Sequence, residues 1–275
     1  MFVSSVLLNV EAWGNITKKN IDDLEKLDNI LLRNIFNASS STPVVFCHLE
    51  LKTLPLRYLI QSRRLSFLQY ILQQNPDSMI YQVLFSQIES PLQGDMWLSA
   101  KNDLKSLNMN LTLHDIKSLS KYQFKKLVKN AVHNHAFIWL NEQKNTLNKI
   151  KHISYDIFKM QDYLQTDKLT IHDKKFLFAA RGRGLFLRCN YPNRYVNSDL
   201  FCCLCFVTNT IPQLDEQRHL LLCEELRDSN VIIETNRKYE DIFSFDINIQ
   251  TNMAMLLRIK YEKRKQLELN LTRQI

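Results

Sequence analysis

The sequence predicts a mainly α-helical fold: a multi-helix bundle with a small cysteine-rich module and a tail helix at its C-terminal end. Three observations predict it. Apolar residues recur three and four positions apart in one segment after another. Capping residues and turn signals separate these segments at short intervals. Near the C-terminus, Cys202, Cys205, His219 and Cys223 follow the spacing C-x2-C-x13-H-x3-C, which suits one tetrahedral zinc ion and makes the module a zinc knuckle. On this reading residues 1–42 form a first helical segment, 43–196 a helical linker domain, 197–226 the knuckle and 227–275 the tail helix.

Two cysteines separated by two residues can turn back on themselves and present both sulfurs to one point. His219 and Cys223, four positions apart, lie on one helical face. Four ligands close the coordination sphere and leave no position for water, so the zinc is expected to be structural and not to activate a nucleophile. Metal binding in small zinc modules is worth roughly 10–16 kcal/mol, enough to order about two dozen residues otherwise too few to hold a core. The competing reading, buried free thiols beside a surface histidine, has to explain two matched pairs at ligand spacing. Cys203 leaves a C-x-C grip open as an alternative, with C-x2-C the better geometry.

With 275 residues at 45% hydrophobic, the chain has material for one to three domains. No apolar run approaches the roughly 18 residues of a membrane span. The apolar opening Met1–Val10 has no basic residues before it and reaches Glu11 quickly, unlike a signal peptide. An intracellular protein is expected, nuclear or cytoplasmic being left open. Of the six cysteines, four fall between Cys202 and Cys223, a pattern of a metal site in a reducing compartment and not of a disulfide framework. Four glycines leave no GxGxxG and no Walker loop, so nucleotide cradling by a glycine-rich turn is not expected; nor is a small-molecule substrate. A net charge of +8 with pI about 9.1 favours polyanionic partners, here RNA and/or DNA.

In order, Thr17 caps a first helix with Asp22 and Asp23 in its first turns and Ile21, Leu24, Leu27, Leu31 and Ile35 as its apolar stripe. It stops near Asn37, and Ala38 to Pro43 read as a linker. The next helix begins at Pro55 and ends before Asn75-Pro76, with Leu56, Leu59, Ile60, Phe67, Leu68, Ile71 and Leu72 facing a core. Arg57, Arg63 and Arg64 interrupt that pattern and are candidate phosphate contacts. Helices follow at 79–90, 95–107 and 113–119. Ser120 and Gln123 open a longer one whose Phe124, Leu127, Val128, Ala131, Val132 and Ile138 face inward. Its other side carries Lys121, Lys125, Lys126 and Lys129. From Lys117 to Lys151 there are eight lysines against one acid, Glu142, either a solvated face or a patch that tracks a phosphate backbone. His133 and His135, two apart, cannot share a helical face.

Thr170 and Asp173 open another helix that ends in Arg181-Gly182-Arg183-Gly184, with Arg188 and Arg194 beyond. Glycines let the backbone approach a ligand and arginines beside them bind phosphate, which makes Arg181 and Arg183 candidates. A final amphipathic helix near 248–269 packs through Met253, Leu256, Leu257 and Ile259. Arg258, Lys260, Lys263, Arg264 and Lys265 form a basic end that reads as a frayed, solvated tail.

The run Leu51 to Leu68 resembles the helical region that follows the polymerase core in LINE-like (non-LTR) retrotransposon reverse transcriptases. Glu11-Ala12-Trp13 with the Leu24 to Ile35 helix is similar to that family's thumb, and Cys202-Cys203-Leu204-Cys205 with His219-Leu220-Leu221-Leu222-Cys223 to its C-terminal zinc knuckle. The family commonly has proline where this chain has Cys203. The resemblance covers nearly the whole chain, and the knuckle is its one specific motif.

The resemblance implies a thumb-like segment, linker helices and knuckle that grip template RNA and target DNA beside a polymerase. It does not imply catalysis. The family's palm carries an aromatic-x-Asp-Asp turn that holds metal ions, and this chain has none; its adjacent Asp22 and Asp23 fall in a helix start. No apurinic-type endonuclease precedes the thumb-like segment, and no PD followed by D/E-x-K pattern follows the knuckle. The expectation is a non-catalytic nucleic-acid-binding fragment. Two alternatives stay open: an accessory segment working in trans with an intact retroelement polymerase, and a decayed reading frame with no selected activity.

Overall fold

The computed structural model describes residues 16–190, 200–207, 213–226 and 238–273. Met1–Val10, the Glu11-Ala12-Trp13 element, Arg194 and Pro212 lie outside them. Among the described residues are twelve α-helices, no strand, and one isolated antiparallel bridge between Phe201 and Leu214. The chain is mainly α-helical. The helices are α1 (Lys18–Ile35), α2 (Val44–Leu51), α3 (Leu56–Leu72), α4 (Met79–Glu89), α5 (Met96–Ser106) and α6 (Leu113–Ser118). They continue with α7 (Lys121–Asn145), α8 (Asp162–Gln165), α9 (Ile171–Arg181), α10 (Cys203–Val207), α11 (Gln217–Leu222) and α12 (Ile247–Arg273). No helix among the described residues is long and apolar enough to cross a membrane.

Contacts divide the chain into two units, Met1–Leu31 with Thr53–Glu142 and Leu32–Lys52 with Gln143–Ile275. The division differs from the expected sequential boundaries after residues 42, 196 and 226, because residues 32–52 group with the C-terminal half of the chain.

In the first unit, α1 opens at its cap: the Asn20 N–H donates to Thr17 Oγ1 at 3.2 Å. Asp22 and Asp23 lie in the second turn; Asp23 pairs with Lys26 at 2.7 Å and Asp22 lies 3.5 Å from Arg57. Helix α3 supplies the centre of the core. Its Leu65, Leu68, Ile71 and Leu72 pack with Leu84 of α4, Ala100 and Leu104 of α5, Ile116 of α6, and Phe124, Val128 and Val132 of α7, each such side chain contributing about 1.5–3 kcal/mol when fully buried. Leu59 and Phe67, expected inside, are half-buried, and Leu65 was missed. Between α6 and α7, Gln69 Nε2 donates to the Leu119 carbonyl at 3.0 Å. Ser120 and Gln123 cap α7 reciprocally, at 3.0 and 3.3 Å.

Along α7 the buried positions are Phe124, Val128, Val132, Ala136, Leu140 and Lys144, every fourth residue. Leu127 and Ile138, expected to face inward, are exposed. Leu27 and Ile35 of α1 are likewise exposed, with Asp28 and Leu32 buried in their place.

Arg64 lies inside the buried stripe of α3 and pairs with Asp103 of α5 at 2.9 Å. Burial pushes the Asp103 carboxyl up to about 6, with Arg64 opposing. The folded chain therefore binds more protons than the unfolded chain between about pH 4 and 6, and stability falls as pH rises through that window. Relative to Asp103→Asn, the wild-type chain is expected to lose on the order of 2–3 kcal/mol between pH 4 and 7. Denaturation midpoints of the two proteins across that range check this; parallel pH profiles would show that Asp103 titrates normally.

The second unit is built around a buried charge. Arg181, at the end of α9, is fully buried. Its guanidinium pairs with Glu50 of α2 at 3.0 Å and donates to the Ile242 and Ser244 carbonyls at 2.9 and 3.1 Å. Glu50 also accepts from the hydroxyls of Tyr155 (2.6 Å) and Tyr163 of α8 (2.7 Å). Helix α2 was not expected from the sequence. Phe46 to Leu51 are all buried, so its apolar residues show no one-sided periodicity. Thr170 and Asp173 form the expected capping box of α9. The Ser154 to Leu164 stretch contributes only the single turn of α8.

Candidate metal centre and nucleic-acid contacts

The isolated antiparallel bridge between Phe201 and Leu214 brings the cysteine and histidine halves of the module together. The Cys202 N–H donates to the Gln213 carbonyl and the Asp215 N–H to the Leu200 carbonyl, both at 2.8 Å. Cys202 precedes α10 and Cys205 lies within it. His219 sits on α11 and Cys223 at its C-cap, one turn apart, with the Cys223 N–H donating to the His219 carbonyl at 2.7 Å.

These four residues converge. Their ligand atoms all lie within 4.8 Å of one another. Cys205 Sγ is 3.3 Å from His219 Nε2 and 3.7 Å from Cys223 Sγ. A tetrahedral ion with metal–sulfur bonds of about 2.3 Å requires sulfur–sulfur edges of about 3.8 Å. The three cysteines are buried and His219 half-buried. The group can hold one metal ion.

The close thiols of Cys202 and Cys223 shift one another's ionisation. A hydrogen bond from Cys223 brings the Cys202 thiol down to about 3; burial opposes this and His219 reinforces it. The same contact pushes Cys223 up. Cysteine binds a metal as its thiolate, so metal binding here would release protons.

Cys203 is not part of the group. Its Sγ lies 3.1 Å from Glu268 Oε1 of α12, and burial with that carboxylate pushes its thiol up to about 12. The C-x2-C pairing stands over the C-x-C alternative.

The residues that fix the module were not foreseen. Asp215, buried, accepts from the Arg188 N–H at 2.8 Å and from Arg264 Nη2 at 2.7 Å, and pairs with Arg264 Nη1 at 2.7 Å. Lys260 Nζ donates to the Leu221 carbonyl at 2.7 Å, a cation on the C-terminal end of α11. Gln217 Nε2 donates to the Ala180 carbonyl at 2.6 Å, tying α11 to α9. The basic end of α12 is thus no frayed tail: Lys260 and Arg264 are buried and clamp the metal module.

The expected phosphate contacts separate into three groups. Arg181 and Arg64 are buried in ion pairs and are structural cations of their units, because a guanidinium with no exposed surface cannot meet a phosphate. Arg57 is held by Glu25, with Nε to Oε1 at 2.8 Å, and lies 5.1 Å from the Trp139 ring centre. Arg183 is half-buried with left-handed backbone (φ 49), and Arg63 is half-buried on α3. Lys125, Lys126 and Lys129 are exposed on α7 beside Lys121. Of the other lysines in that stretch, Lys144 is buried and donates to the Ile153 carbonyl at 2.6 Å, and Lys149 donates to the Ser41 carbonyl at 3.1 Å.

The glycines of Arg181-Gly182-Arg183-Gly184 serve packing. A Cβ at Gly182 would meet the Phe46 ring at 2.8 Å, and one at Gly184 would overlap Thr42 Oγ1. The close approach they permit is to the chain itself and not to a ligand. Compared with known proteins, the chain matches no family model, and no curated protein or solved structure shows significant similarity to it.

Proposed function

We propose that the Cys3His group holds one structural zinc ion, and that the chain is a non-catalytic, nucleic-acid-binding C-terminal region of a LINE-like retrotransposon reverse transcriptase. Four protein donors saturate the ion, so its role is to fix the module against α12 and not to activate water. Thiolates and an imidazole in this geometry select zinc over magnesium or calcium, which prefer oxygen donors.

The observation that carries nucleic-acid binding is the lysine row of α7. Lys121, Lys125 and Lys129 recur every fourth residue and, with Lys126, form no ion pair among the described residues. Carboxylates neutralise Arg57, Arg64 and Arg181, whereas these charges stay available. Lysines at that spacing form a line of positive charge along one helix face, suited to successive phosphates. RNA and DNA are both candidate partners.

Binding of a single-stranded RNA and of the DNA of the same sequence, titrated from low to physiological salt, tests the reading. Affinity is expected to fall steeply with salt. Replacing Lys121, Lys125 and Lys129 together by alanine is expected to reduce the slope of log K against log salt by about 2, at roughly 0.7 per lost phosphate contact on a single strand. An unchanged slope would move the binding surface elsewhere, and no binding at low salt would remove the nucleic-acid reading.

A further inference from the structure

The second unit carries a cavity of about 320 Å³ that the metal centre and the lysine row do not use. This lies at the lower end of the roughly 300–1,000 Å³ of small-ligand pockets. Aromatic rings from separate parts of the unit line it: Phe36, Phe176, Phe186 and Tyr261. Phe176 and Tyr261 pack with ring centres 5.3 Å apart, and Phe36 stacks on the buried Phe178 at 4.6 Å. Phe186 remains 51% exposed.

Along α9 the lining residues His172, Lys175, Phe176 and Ala179 fall on one side, while Asp173, Leu177 and Ala180 are buried on the other. The cavity face of α9 thus joins an aromatic wall to a fixed positive charge. Asn37 and Ser39 add side chains able to hydrogen-bond, and no carboxylate lines the cavity among the described residues.

We propose that this cavity takes one base of a single-stranded nucleic acid, stacked on its aromatic walls, with the adjoining phosphate on Lys175 and His172. An aliphatic ligand would fill the same volume but would make no use of the Lys175 charge, and a free anion would make no use of the rings. A nucleotide uses both: every base offers two π-faces, and its phosphate complements Lys175. Half of Phe186 meets water in the structure, and a stacked base would cover it. The inference builds on the nucleic-acid reading and gives it a second, base-dependent contact distinct from the charge of α7.

The test uses the full chain and four probes: adenosine 5′-monophosphate, ribose 5-phosphate, a single-stranded twelve-residue deoxyadenosine oligonucleotide and its abasic counterpart. Saturation-transfer NMR is expected to show adenosine 5′-monophosphate bound and ribose 5-phosphate not. Phe186→Ala is expected to weaken adenosine 5′-monophosphate and the deoxyadenosine oligonucleotide by about tenfold, the scale of one lost stacking partner, and to leave the abasic oligonucleotide unchanged. Phe186→Tyr should retain wild-type binding, which separates loss of stacking from loss of folding. Lys175→Gln should weaken adenosine 5′-monophosphate several-fold. If adenosine 5′-monophosphate does not bind, or binds Phe186→Ala as it binds wild type, the cavity is no base site. If the abasic oligonucleotide alone fails to bind at low salt, the lysine-row reading falls while the mononucleotide result still decides the cavity.

Discussion

Arg181→Met is expected to destabilise the second unit by about 3–5 kcal/mol, the usual cost of removing one partner from a buried ion pair. The substitution keeps much of the side chain's volume. What it leaves behind is the Glu50 carboxylate, buried with only the Tyr155 and Tyr163 hydroxyls for partners, and the Ile242 carbonyl without its donor, while the Ser244 carbonyl keeps Gln250 Nε2. Replacing Glu50 by leucine in the same chain should recover part of the loss, because the uncompensated charge is then gone. Equilibrium denaturation of the single and double variants measures both effects. A loss below about 1 kcal/mol for Arg181→Met would return Arg181 to the surface and to the list of phosphate contacts.

Opening the metal sphere is the larger perturbation, since structural zinc in small modules is worth roughly 10–16 kcal/mol of binding. His219→Ala, or chelation of the wild-type protein, is expected to unfold residues 200–226 and to leave the helices of the first unit in place. The cost extends to α12. Once α11 and the Phe201–Leu214 bridge dissolve, Lys260 loses the Leu221 carbonyl and Arg264 loses Asp215. Hydrogen exchange should therefore rise sharply in the module and in the last turns of α12, and stay low in α3 and α7. Uniform exchange throughout would mean that the module does not depend on its metal.

The helical class, most of the helices and the Cys3His group were legible in the sequence because each rests on local spacing. The capping boxes at Thr170 and Ser120 and the one-turn separation of His219 and Cys223 need no knowledge of distant residues. The charged residues were misread for one reason. Arg64, Lys144, Arg181, Lys260 and Arg264 were taken as surface charge because of their type, yet all five are buried. Each continues an apolar stripe at helical spacing: Ile60–Arg64–Leu68, Leu140–Lys144, Leu177–Arg181 and Leu257–Lys260–Arg264. Had the stripe been extended through these positions, burial would have followed, and with it the need for a counter-charge or carbonyls. Helix α2 shows the other half of the signal, since Glu50 is the one acid in Val44–Leu51, which is otherwise apolar but for His48. What no local pattern could supply was the partner: Glu50 with Arg181 and Asp215 with Arg264 are separated by 131 and 49 residues. The cavity was hidden for the same reason, its aromatic walls coming from α1's end, α9, the turn after it and α12.

The most direct test of the account is the metal content of the purified chain, determined by elemental analysis together with thiol titration before and after chelation. The account predicts one zinc per chain and about three thiols that become reactive only when the metal is removed, those of Cys202, Cys205 and Cys223. A metal-free chain that keeps its helical content and reacts with thiol reagents identically before and after chelation would contradict it.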